Sequence, residues 1–480
     1  MVELINIDKE NEKPVFRQIA DQLIENIQAG TIRAGAKLPG SRKLAELWGV
    51  HRKTVLAAMD ELINQGWLET KPGSGTFIAM KIEAESITEL QVSEENKGKA
   101  AKVEVPQILK RDLHLTKEKY HLDDGLPDPR LAPVSELSRA YKTALTAGNL
   151  YPKYTYADTK GHLYLREVLA DYLLKTRALD VSPEQIMITR GVTQAVYLAI
   201  QTFVSKGDTV AMPELNWSSA EINFKYHGAN VVNVRVDKEG LDVEHLEDLC
   251  QEHKFKMLYV TPHHQYPTTV IMPAYRRVKL VQLARKYGFY IFEDDYDYDF
   301  HYTSHPIMPL ASTRHGDFVL YTGSFTKSIS PVFRLGYLVA HKDQIDLMAR
   351  IRRLIDRQGD SLLELAVAEL LKLGTVQRYL RKNKKIYEQR RDYFSELLTE
   401  QLDSYLNFEK PMGGMSIWTK FNDDINLIKL AERALKKDLY FSDGNQHCGS
   451  YPGLNSTRLG FASSTEEELE TAVKILKSLL

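Results

Sequence analysis

The sequence has few cysteines and no long hydrophobic run. Only Cys250 and Cys448 occur among its 480 residues, which favours a reducing compartment and argues against a disulfide framework. There is no N-terminal apolar segment and no uninterrupted apolar run of about 18 residues, so the sequence predicts neither secretion nor a membrane span. We therefore expect a cytoplasmic protein without membrane association.

The chain also lacks an excess of charge of either sign. Its formal net charge is −1, so any binding to nucleic acid must come from a local basic patch rather than from a global field. With 43% hydrophobic and 26% charged residues, the composition is typical of globular proteins. A chain of 480 residues exceeds one ordinary domain, and two or three are predicted.

One segment lacks both aromatic residues and hydrophobic periodicity. Residues 83–111 are charged and too polar to form a core of their own. We interpret residues 81–112 as a linker between a domain at residues 1–80 and a larger domain at residues 113–480. The larger domain is expected to end in a smaller α+β subdomain at about residues 375–480.

The first 80 residues predict a winged helix-turn-helix. Apolar residues at four-residue spacing indicate a helix from Pro14 to Gly30. Two shorter helices follow and meet at Gly49-Val50, with Ser41 as the expected N-cap of the first. Residues 67–78 predict a two-stranded wing with Gly73-Ser74-Gly75 at its tip. In this arrangement the second helix of the pair enters the DNA major groove.

Local charge supports DNA binding by this domain. Between Arg33 and Lys53 there are six basic residues and one acidic residue, Glu46. Such an excess can neutralise backbone phosphates. The alternative interpretation is a three-helix protein-interaction module whose charges are solvated.

Beyond about Leu113, helical patterns alternate with short apolar runs. This alternation predicts an α/β fold, in which helices cover both faces of a mostly parallel sheet. In such sheets the ligand lies beyond the carboxyl ends of the strands, so the polar residues after each run become candidates for a site. The runs are residues 185–189, 209–212, 257–261, 290–294 and 318–322.

Two of the turns after these runs predict an amine beside an anion-binding surface. Lys327 follows the last run, and a desolvated lysine can form a Schiff base with a carbonyl compound. Ser324, Thr326 and Arg334 supply hydroxyls and a guanidinium for a phosphate. A glycine turn opens a helix near Ala195, and helix N-termini bind anions. The alternative for the lysine segment is an ordinary basic loop.

The remaining turns supply partners for an aromatic ring. Trp217 offers a stacking face, although it could be plain core, and residues 293–296 offer carboxylates and a phenol. Together these groups match pyridoxal 5′-phosphate. Residues 263–266 (His-His-Gln-Tyr) are expected to line the same pocket. No further ligand pattern accompanies the two histidines, so we predict no metal site.

The N-terminal motif KLPGSRKLAELWGVHRKTVLAAMDELINQGWLETKPGSGTFIA resembles the winged-helix domain of the GntR family of bacterial regulators. The resemblance implies that the Gly73–Gly75 tip lies near the minor groove. His51 stands where the family usually has serine, at the expected cap of the recognition helix. The residues implied to face DNA are Ser41, Arg42, Arg52, Lys53, Thr54, Gly73 and Gly75.

The segments DDGLPDPRLAP, GVTQAV, EDDYDYDF, GSFTKSISPVFRLGY and RLGFA resemble fold-type-I aminotransferases, and the whole chain is similar to the MocR/GabR family of regulators. The resemblance implies that Lys327 holds pyridoxal phosphate as the internal aldimine and that Asp294, with Asp295 as competitor, pairs with the pyridine nitrogen. Tyr156 would reach the phosphate from a partner subunit, which implies a homodimer. The remaining implied contacts are Tyr296 to the ring hydroxyl, Trp217 to the ring face, and Val192, Thr193, Ser324, Thr326 and Arg334 to the phosphate.

Arg458 occupies the position at which aminotransferases bind the α-carboxylate of an amino acid. The GABA-sensing member of the family uses an arginine five residues further on, where this chain has Ser463. We therefore expect an α-amino acid, or no amino acid at all, rather than GABA. The alternative is that Arg458 simply pairs with a nearby acid.

These observations predict a transcriptional regulator that senses an amino compound through external aldimine formation at Lys327. Its expected DNA target has paired half-sites, one for each head of the dimer. Two alternatives stay open: a working aminotransferase, because the groups that catalysis needs are present, and a regulator that senses pyridoxal phosphate itself to control vitamin B6 synthesis.

Overall fold

The computed structural model describes residues 5–80, 104–110, 116–303, 307–313, 318–447 and 454–480. By contacts the chain divides into two compact units, Met1–Val105 and Pro106–Leu480. Most of the predicted linker, residues 81–103 and 111–112, lies outside the described residues, as does Cys448. In the described part of the chain, no helix is both long and apolar enough to cross a membrane.

The first unit has the predicted winged helix-turn-helix. Its elements are helices α1 (Val15–Gln28), α2 (Ser41–Leu47) and α3 (Arg52–Asn64), and the antiparallel strands β1 (Leu68–Lys71) and β2 (Gly75–Ile78). The apolar stripes converge on one core, in which Ile19, Leu23, Leu44, Val55 and Leu62 are fully buried. Burial of one face of each helix is what holds helices this short in place.

The cap of α2 differs from the prediction, whereas the cap of α3 lies at the expected residue. Ser41 is the first residue of α2, and Gly40 precedes it without a side-chain cap. The Ser41 hydroxyl instead accepts a hydrogen bond from Arg52 Nε at 3.2 Å. His51 caps α3, because its Nδ1 accepts the backbone N–H of Lys53 at 3.2 Å. The histidine thus provides an N-cap at the position where the family usually has serine, a common N-cap residue.

The second unit is built on one seven-stranded sheet, as the α/β prediction requires. Its strands are β4 (Ile186–Thr189), β5 (Thr209–Pro213), β6 (Asn230–Val234), β9 (Phe255–Val260), β10 (Tyr290–Asp295), β11 (Val319–Ser324) and β12 (Gly336–Val339), in the order β4-β12-β11-β10-β9-β5-β6. Pairing is parallel except around β12, which runs antiparallel to both neighbours. All five predicted runs are strands of this sheet.

Helices cover both faces of the sheet. Those preceding and within the sheet region are α4 (Val134–Thr146), α5 (Leu150–Lys153), α6 (Leu163–Arg177), α7 (Val192–Phe203), α8 (Ser218–His227), α9 (Val243–Glu252), α10 (Ala274–Tyr287), α11 (Lys342–Arg352) and α12 (Ser361–Lys372). Strands β7 (Val236–Asp237) and β8 (Gly240–Leu241) form a small hairpin. Three buried clusters pack between the sheet and its helices, and the largest of them continues into the C-terminal part.

The C-terminal part carries its own sheet. After the long helix α13 (Thr375–Leu402), strands β13 (Leu406–Phe408), β14 (Ser416–Phe421) and β16 (Ser456–Gly460) pair antiparallel, and α14 (Leu427–Leu435) and α15 (Glu466–Lys477) flank them. Strand β15 (Leu439–Phe441) pairs in parallel with β3 (Tyr120–Leu122). This pairing fixes the segment that follows β3, Asp123 to Gly125, beside the C-terminal sheet.

Candidate cofactor site

The carboxyl ends of the parallel strands open into a cavity of about 190 Å³. Every predicted cofactor contact except Tyr156 lines it. The lining residues are Asp124, Val192, Thr193, Trp217, Tyr259, Tyr266, Asp294, Tyr296, Ser324, Thr326, Lys327 and Arg334. The sheet topology explains the convergence, because neighbouring parallel strands end at the same edge.

Lys327 lies three residues beyond the end of β11, on the turn that the sequence predicted. Its Nζ donates a hydrogen bond to the carbonyl oxygen of Gly125. Enclosure in the site lowers the pKa of Lys327, while the carboxylate of Asp124 acts in the opposite direction. A lowered pKa increases the fraction of free amine, which is the form that attacks a carbonyl carbon.

Asp294, not Asp295, faces the cavity. One oxygen of Asp294, Oδ2, accepts a hydrogen bond from Tyr259 OH at 2.7 Å, and the other, Oδ1, is buried without a partner. Burial raises the pKa of Asp294 to about 7. Asp295 points to the other side of β10, where it accepts from Tyr321 OH at 2.8 Å. The orphaned oxygen of Asp294 calls for an N–H donor or a cation in the cavity.

The opposite end of the cavity is suited to an anion. Gly191, with φ +73°, lies two residues beyond the end of β4 and is the N-cap of α7, so the free amides at Val192 and Thr193 open the helix. A Cβ at Gly191 would lie 3.0 Å from Arg334 Nη2, so a side chain at this position would push the guanidinium away from the turn by a few tenths of an ångström. Ser324 Oγ donates to Thr326 Oγ1 at 2.7 Å, which holds both hydroxyls at the same end.

Two aromatic side chains complete the walls. Trp217 is half-buried at the N-terminus of α8 and packs against the core below it. The hydroxyl of Tyr296 lies 3.3 Å from the carbonyl oxygen of His264 and accepts from Arg458 Nη1 at 3.4 Å. Tyr296 therefore connects the cavity to the arginine on β16.

Arg458 is buried and already has a carboxylate partner. Its side chain is 1% exposed, and its Nε lies 2.7 Å from Asp124 Oδ1. The guanidinium carbon lies 4.8 Å from the centre of the Tyr266 ring, a cation–π contact. Ser463, at the alternative arginine position, is buried, and its hydroxyl donates to Asp123 Oδ2 at 2.7 Å.

Some predicted site residues lie elsewhere. Tyr156 is 75% exposed, and the Arg357 guanidinium stacks 3.9 Å from the centre of its ring. The expectation that residues 263–266 line the pocket is wrong for the first three and holds only for Tyr266. His264 does not line the pocket because its Nδ1 forms a hydrogen bond with Asp297 Oδ1 at 2.7 Å in the interior. Within the described ranges, no group of three or more metal-ligating side chains occurs.

Asp124 and Tyr259 were missed as site residues. Tyr259 lies on the buried strand β9, where a phenol in an apolar run signals a polar partner nearby. Asp124 belongs to the motif DDGLPDPRLAP, but its sequence neighbours do not show that it meets Arg458. The two meet because the segment after β3 packs against β16, where a Cβ at Gly460 would lie 2.3 Å from the carbonyl oxygen of Asp123.

On the first unit, the residues predicted to face DNA lie at three places on its surface: the start of α2, the start of α3 and the wing tip. Arg42, Arg52 and Lys53 are exposed, and Ser41 and Thr54 are half-buried. Gly73 and Gly75 are exposed at the turn between β1 and β2. The Ser41–Arg52 hydrogen bond joins the two helix starts across this surface.

The donor set of the cavity fits pyridoxal 5′-phosphate. A buried carboxylate oxygen without a partner suits a protonated ring nitrogen, and the amine of Lys327 suits an aldehyde. The glycine turn, helix amides, hydroxyls and Arg334 suit a phosphate. The groups stand at different points of the cavity wall, as one ring with three kinds of substituent requires.

Comparison with known proteins identifies the class. The family described as aminotransferase class I and II matches residues 131–476, and the family described as bacterial regulatory proteins, gntR family, matches residues 16–78. The chain belongs to the class I and II aminotransferase family and carries a GntR-family DNA-binding domain at its N-terminus. It is a pyridoxal-phosphate-dependent regulator of the MocR/PdxR type.

Individual relatives share both parts of the chain. It is 25% identical over 483 residues to the probable rhizopine catabolism regulatory protein MocR of Rhizobium meliloti. The match covers 99% of this chain and 95% of that protein. It is 27% identical over 455 residues to the pyridoxine biosynthesis transcriptional regulator PdxR of Corynebacterium glutamicum, with 94% and 93% covered.

The second unit also resembles solved enzymes. The structure of the α-aminoadipate aminotransferase LysN from Thermus thermophilus, complexed with N-(5′-phosphopyridoxyl)-L-leucine, superposes with a TM-score of 0.70 at 26% identity. The match covers 75% of this chain and 92% of that one. An archaeal alanine:glyoxylate aminotransferase gives a TM-score of 0.71 at 28% identity, with 75% and 90% covered. The predicted fold class and cofactor are thereby confirmed.

Proposed function

We propose that this regulator senses an α-amino acid, whose carboxylate binds Arg458 while its amine reacts at the position of Lys327. The observation that carries the proposal is the buried guanidinium of Arg458 beside the cavity that contains Lys327, with Asp124 lining that cavity between them. A buried guanidinium binds a carboxylate through paired, charge-assisted hydrogen bonds. Ser463 has no positive charge and is engaged with Asp123, so it offers a carboxylate nothing comparable.

When bound, pyridoxal phosphate supplies an aldehyde that condenses with primary amines and a ring that withdraws electrons. The chain's own residues would hold and orient it: Asp294 would take the ring nitrogen, Tyr296 the ring hydroxyl and Trp217 the ring face. Lys327 supplies the protein amine that an effector replaces. The phosphate contacts are the Val192 and Thr193 amides, Ser324, Thr326 and Arg334, together with Tyr156 of a partner subunit.

The exposure of Tyr156 supports its assignment to a partner site in a homodimer. Its exposed ring lies outside the core of its own unit, with the Arg357 guanidinium stacked on it. A dimer would carry two DNA-binding heads, so we propose an operator with paired half-sites. On each head, Ser41, Arg42 and the start of α3 would contact the major groove, and the Gly73–Gly75 tip the minor groove.

The proposal is tested by titrating the cofactor-loaded protein with α-amino acids and with GABA. We expect α-amino acids to shift the visible absorbance of the cofactor and GABA to have little effect. Arg458→Gln should selectively weaken the binding of α-amino acids, because a neutral amide cannot form the charge-assisted pair with their carboxylate. An absorbance shift with GABA but not with α-amino acids would refute the proposal.

A second candidate is a working aminotransferase. It is favoured by the completeness of the site, since Lys327, Asp294 and Arg458 supply the amine, the ring-nitrogen partner and the carboxylate anchor together. A steady-state assay with an amino donor and a keto acid distinguishes the two functions: sustained turnover supports the enzyme, and a single half-reaction supports the sensor.

A third candidate takes pyridoxal phosphate itself as the signal. Similarity to a relative named as a pyridoxine biosynthesis regulator favours it. Comparing the operator affinity of cofactor-free and cofactor-loaded protein, without added amino acid, separates it from the first proposal. A cofactor effect that amino acids do not modify further would support it.

A further inference from the structure

Asp124 is tied into the site by both of its carboxylate oxygens. Oδ1 lies 2.7 Å from Arg458 Nε, and Oδ2 accepts a hydrogen bond from Tyr266 OH at 2.8 Å. Its side chain is 35% exposed and lines the cavity, whereas Arg458 behind it is 1% exposed. An effector that enters the cavity therefore meets Asp124 on the way to the guanidinium.

Two of the three nitrogens of the Arg458 guanidinium face acceptors in this structure. Nη1 donates to the carbonyl oxygen of Pro267 at 3.2 Å and to Tyr296 OH at 3.4 Å, and Nε faces Asp124. The Tyr266 ring covers one face of the guanidinium. A guanidinium binds a carboxylate through two N–H groups on one edge. A second carboxylate therefore reaches the edge that contains Nε only by displacing Asp124.

We propose that Asp124 is a specificity-determining residue: an internal carboxylate that competes with the effector's carboxylate for Arg458. The inference rests on the proposed binding of an α-carboxylate at Arg458. Because of this competition, the preference of the protein for amino acids over amines without a carboxylate is smaller than it would be if Arg458 had no internal partner. Asp124 thereby raises the amino-acid concentration at which the regulator responds.

The backbone around Asp124 is fixed, so it is the side chain that gives way. Asp123 is held by Ser463 and by the backbone N–H of Leu126, each at 2.7 Å. Its carbonyl oxygen packs against β16 so closely that a Cβ at Gly460 would lie 2.3 Å from it. Gly125 accepts from Lys327 on the other side. Exchange of the two carboxylates thus requires rotation of the Asp124 side chain rather than opening of the segment.

The test compares two amines that differ only in a carboxylate, L-alanine and ethylamine. The full-length, cofactor-loaded protein is titrated with each, and the apparent Kd is read from the cofactor's absorbance and, independently, from the ligand-dependent shift in Tm. In Asp124→Asn we expect the Kd ratio of ethylamine to L-alanine to rise about tenfold, the worth of a charge-assisted hydrogen bond. The ratio cancels any effect of Asp124 on the pKa of Lys327, because both probes react as amines.

Two further variants grade the result. Tyr266→Phe keeps the charge of Asp124 but removes one of its anchors, so the ratio should rise by less. Asp180→Asn removes the same charge from an exposed position that does not line the cavity, and should leave the ratio unchanged.

The outcomes separate this inference from the proposed function. If Arg458→Gln lowers the ratio but Asp124→Asn does not raise it, the competition is refuted and the α-carboxylate site stands. If Asp124→Asn weakens the binding of both L-alanine and ethylamine, Asp124 contacts the effector's amine, and the inference is equally refuted. If Arg458→Gln leaves the ratio unchanged, the proposed function itself fails.

Discussion

Replacing Asp294 by asparagine should change the stability of the protein in opposite directions with and without the cofactor. In the cofactor-free protein, Asp294 is a buried carboxyl that accepts a hydrogen bond from Tyr259 OH at Oδ2, and its Oδ1 has no partner among the described residues. Asparagine offers Tyr259 an acceptor of the same shape but carries no charge. The substitution therefore removes the cost of a buried anion and leaves the packing nearly intact.

The magnitude follows from the raised pKa. Asp294 has a folded-state pKa of about 7 against an ordinary value of 3.8. The folded protein therefore binds the proton more tightly than the unfolded chain, so stability is highest below about pH 4 and falls as the pH rises towards 7. A shift of about three units corresponds to about 4 kcal/mol, of which about 2.5 kcal/mol is lost between pH 5 and pH 8.

The assay is urea denaturation of the cofactor-free protein at pH 5 and pH 8, followed by far-UV circular dichroism. Asp294→Asn should be the more stable variant at pH 8, with a gain over the wild type about 2.5 kcal/mol larger than its gain at pH 5. Asp180→Asn, at an exposed position, controls for net charge. With cofactor added the order should reverse, because only the carboxylate can pair with a protonated ring nitrogen.

Two results would refute this reasoning. An equal effect of Asp294→Asn at both pH values would mean that the carboxyl does not titrate with a raised pKa. Unchanged cofactor affinity in the variant would mean that Asp294 does not pair with the ring nitrogen, and Asp295 would then be the candidate for that role.

Two further predictions concern the amine and the DNA-binding unit. Lys327→Ala should abolish the cofactor absorbance that depends on the protein amine and the response to effector, while circular dichroism stays unchanged; a retained response in spectral titration would contradict the role of Lys327. His51→Ala should remove the N-cap of α3 and cost about 1 kcal/mol locally, seen as faster hydrogen exchange at the Lys53 amide, whose acceptor is His51 Nδ1. His51→Asn should restore the protection, because asparagine is a good N-cap. Equal exchange in all three proteins would show that the cap carries no stability.

Local patterns in the sequence were enough to predict the architecture of both units. The stripe of Ile19 and Leu23 and the turn at Gly49 encode the helices of the head, because helix period and turn chemistry depend only on near neighbours. Apolar runs followed by polar turns likewise predicted the parallel strands and the positions of Lys327 and Asp294. The antiparallel β12 was not predicted, because strand direction depends on which partner a strand finds.

Only the tertiary structure decided how the candidate residues are used. Successive residues of a strand point to opposite faces, so the choice of Asp294 over Asp295 depends on which face of β10 meets the cavity. The partner of Arg458 depends on the packing of the segment after β3 against β16, which joins distant parts of the chain. Sequence determines periodicity and chemical type. Burial, pairing and charge neutralisation are properties of contacts between residues far apart in the chain, and they appear only in the folded protein.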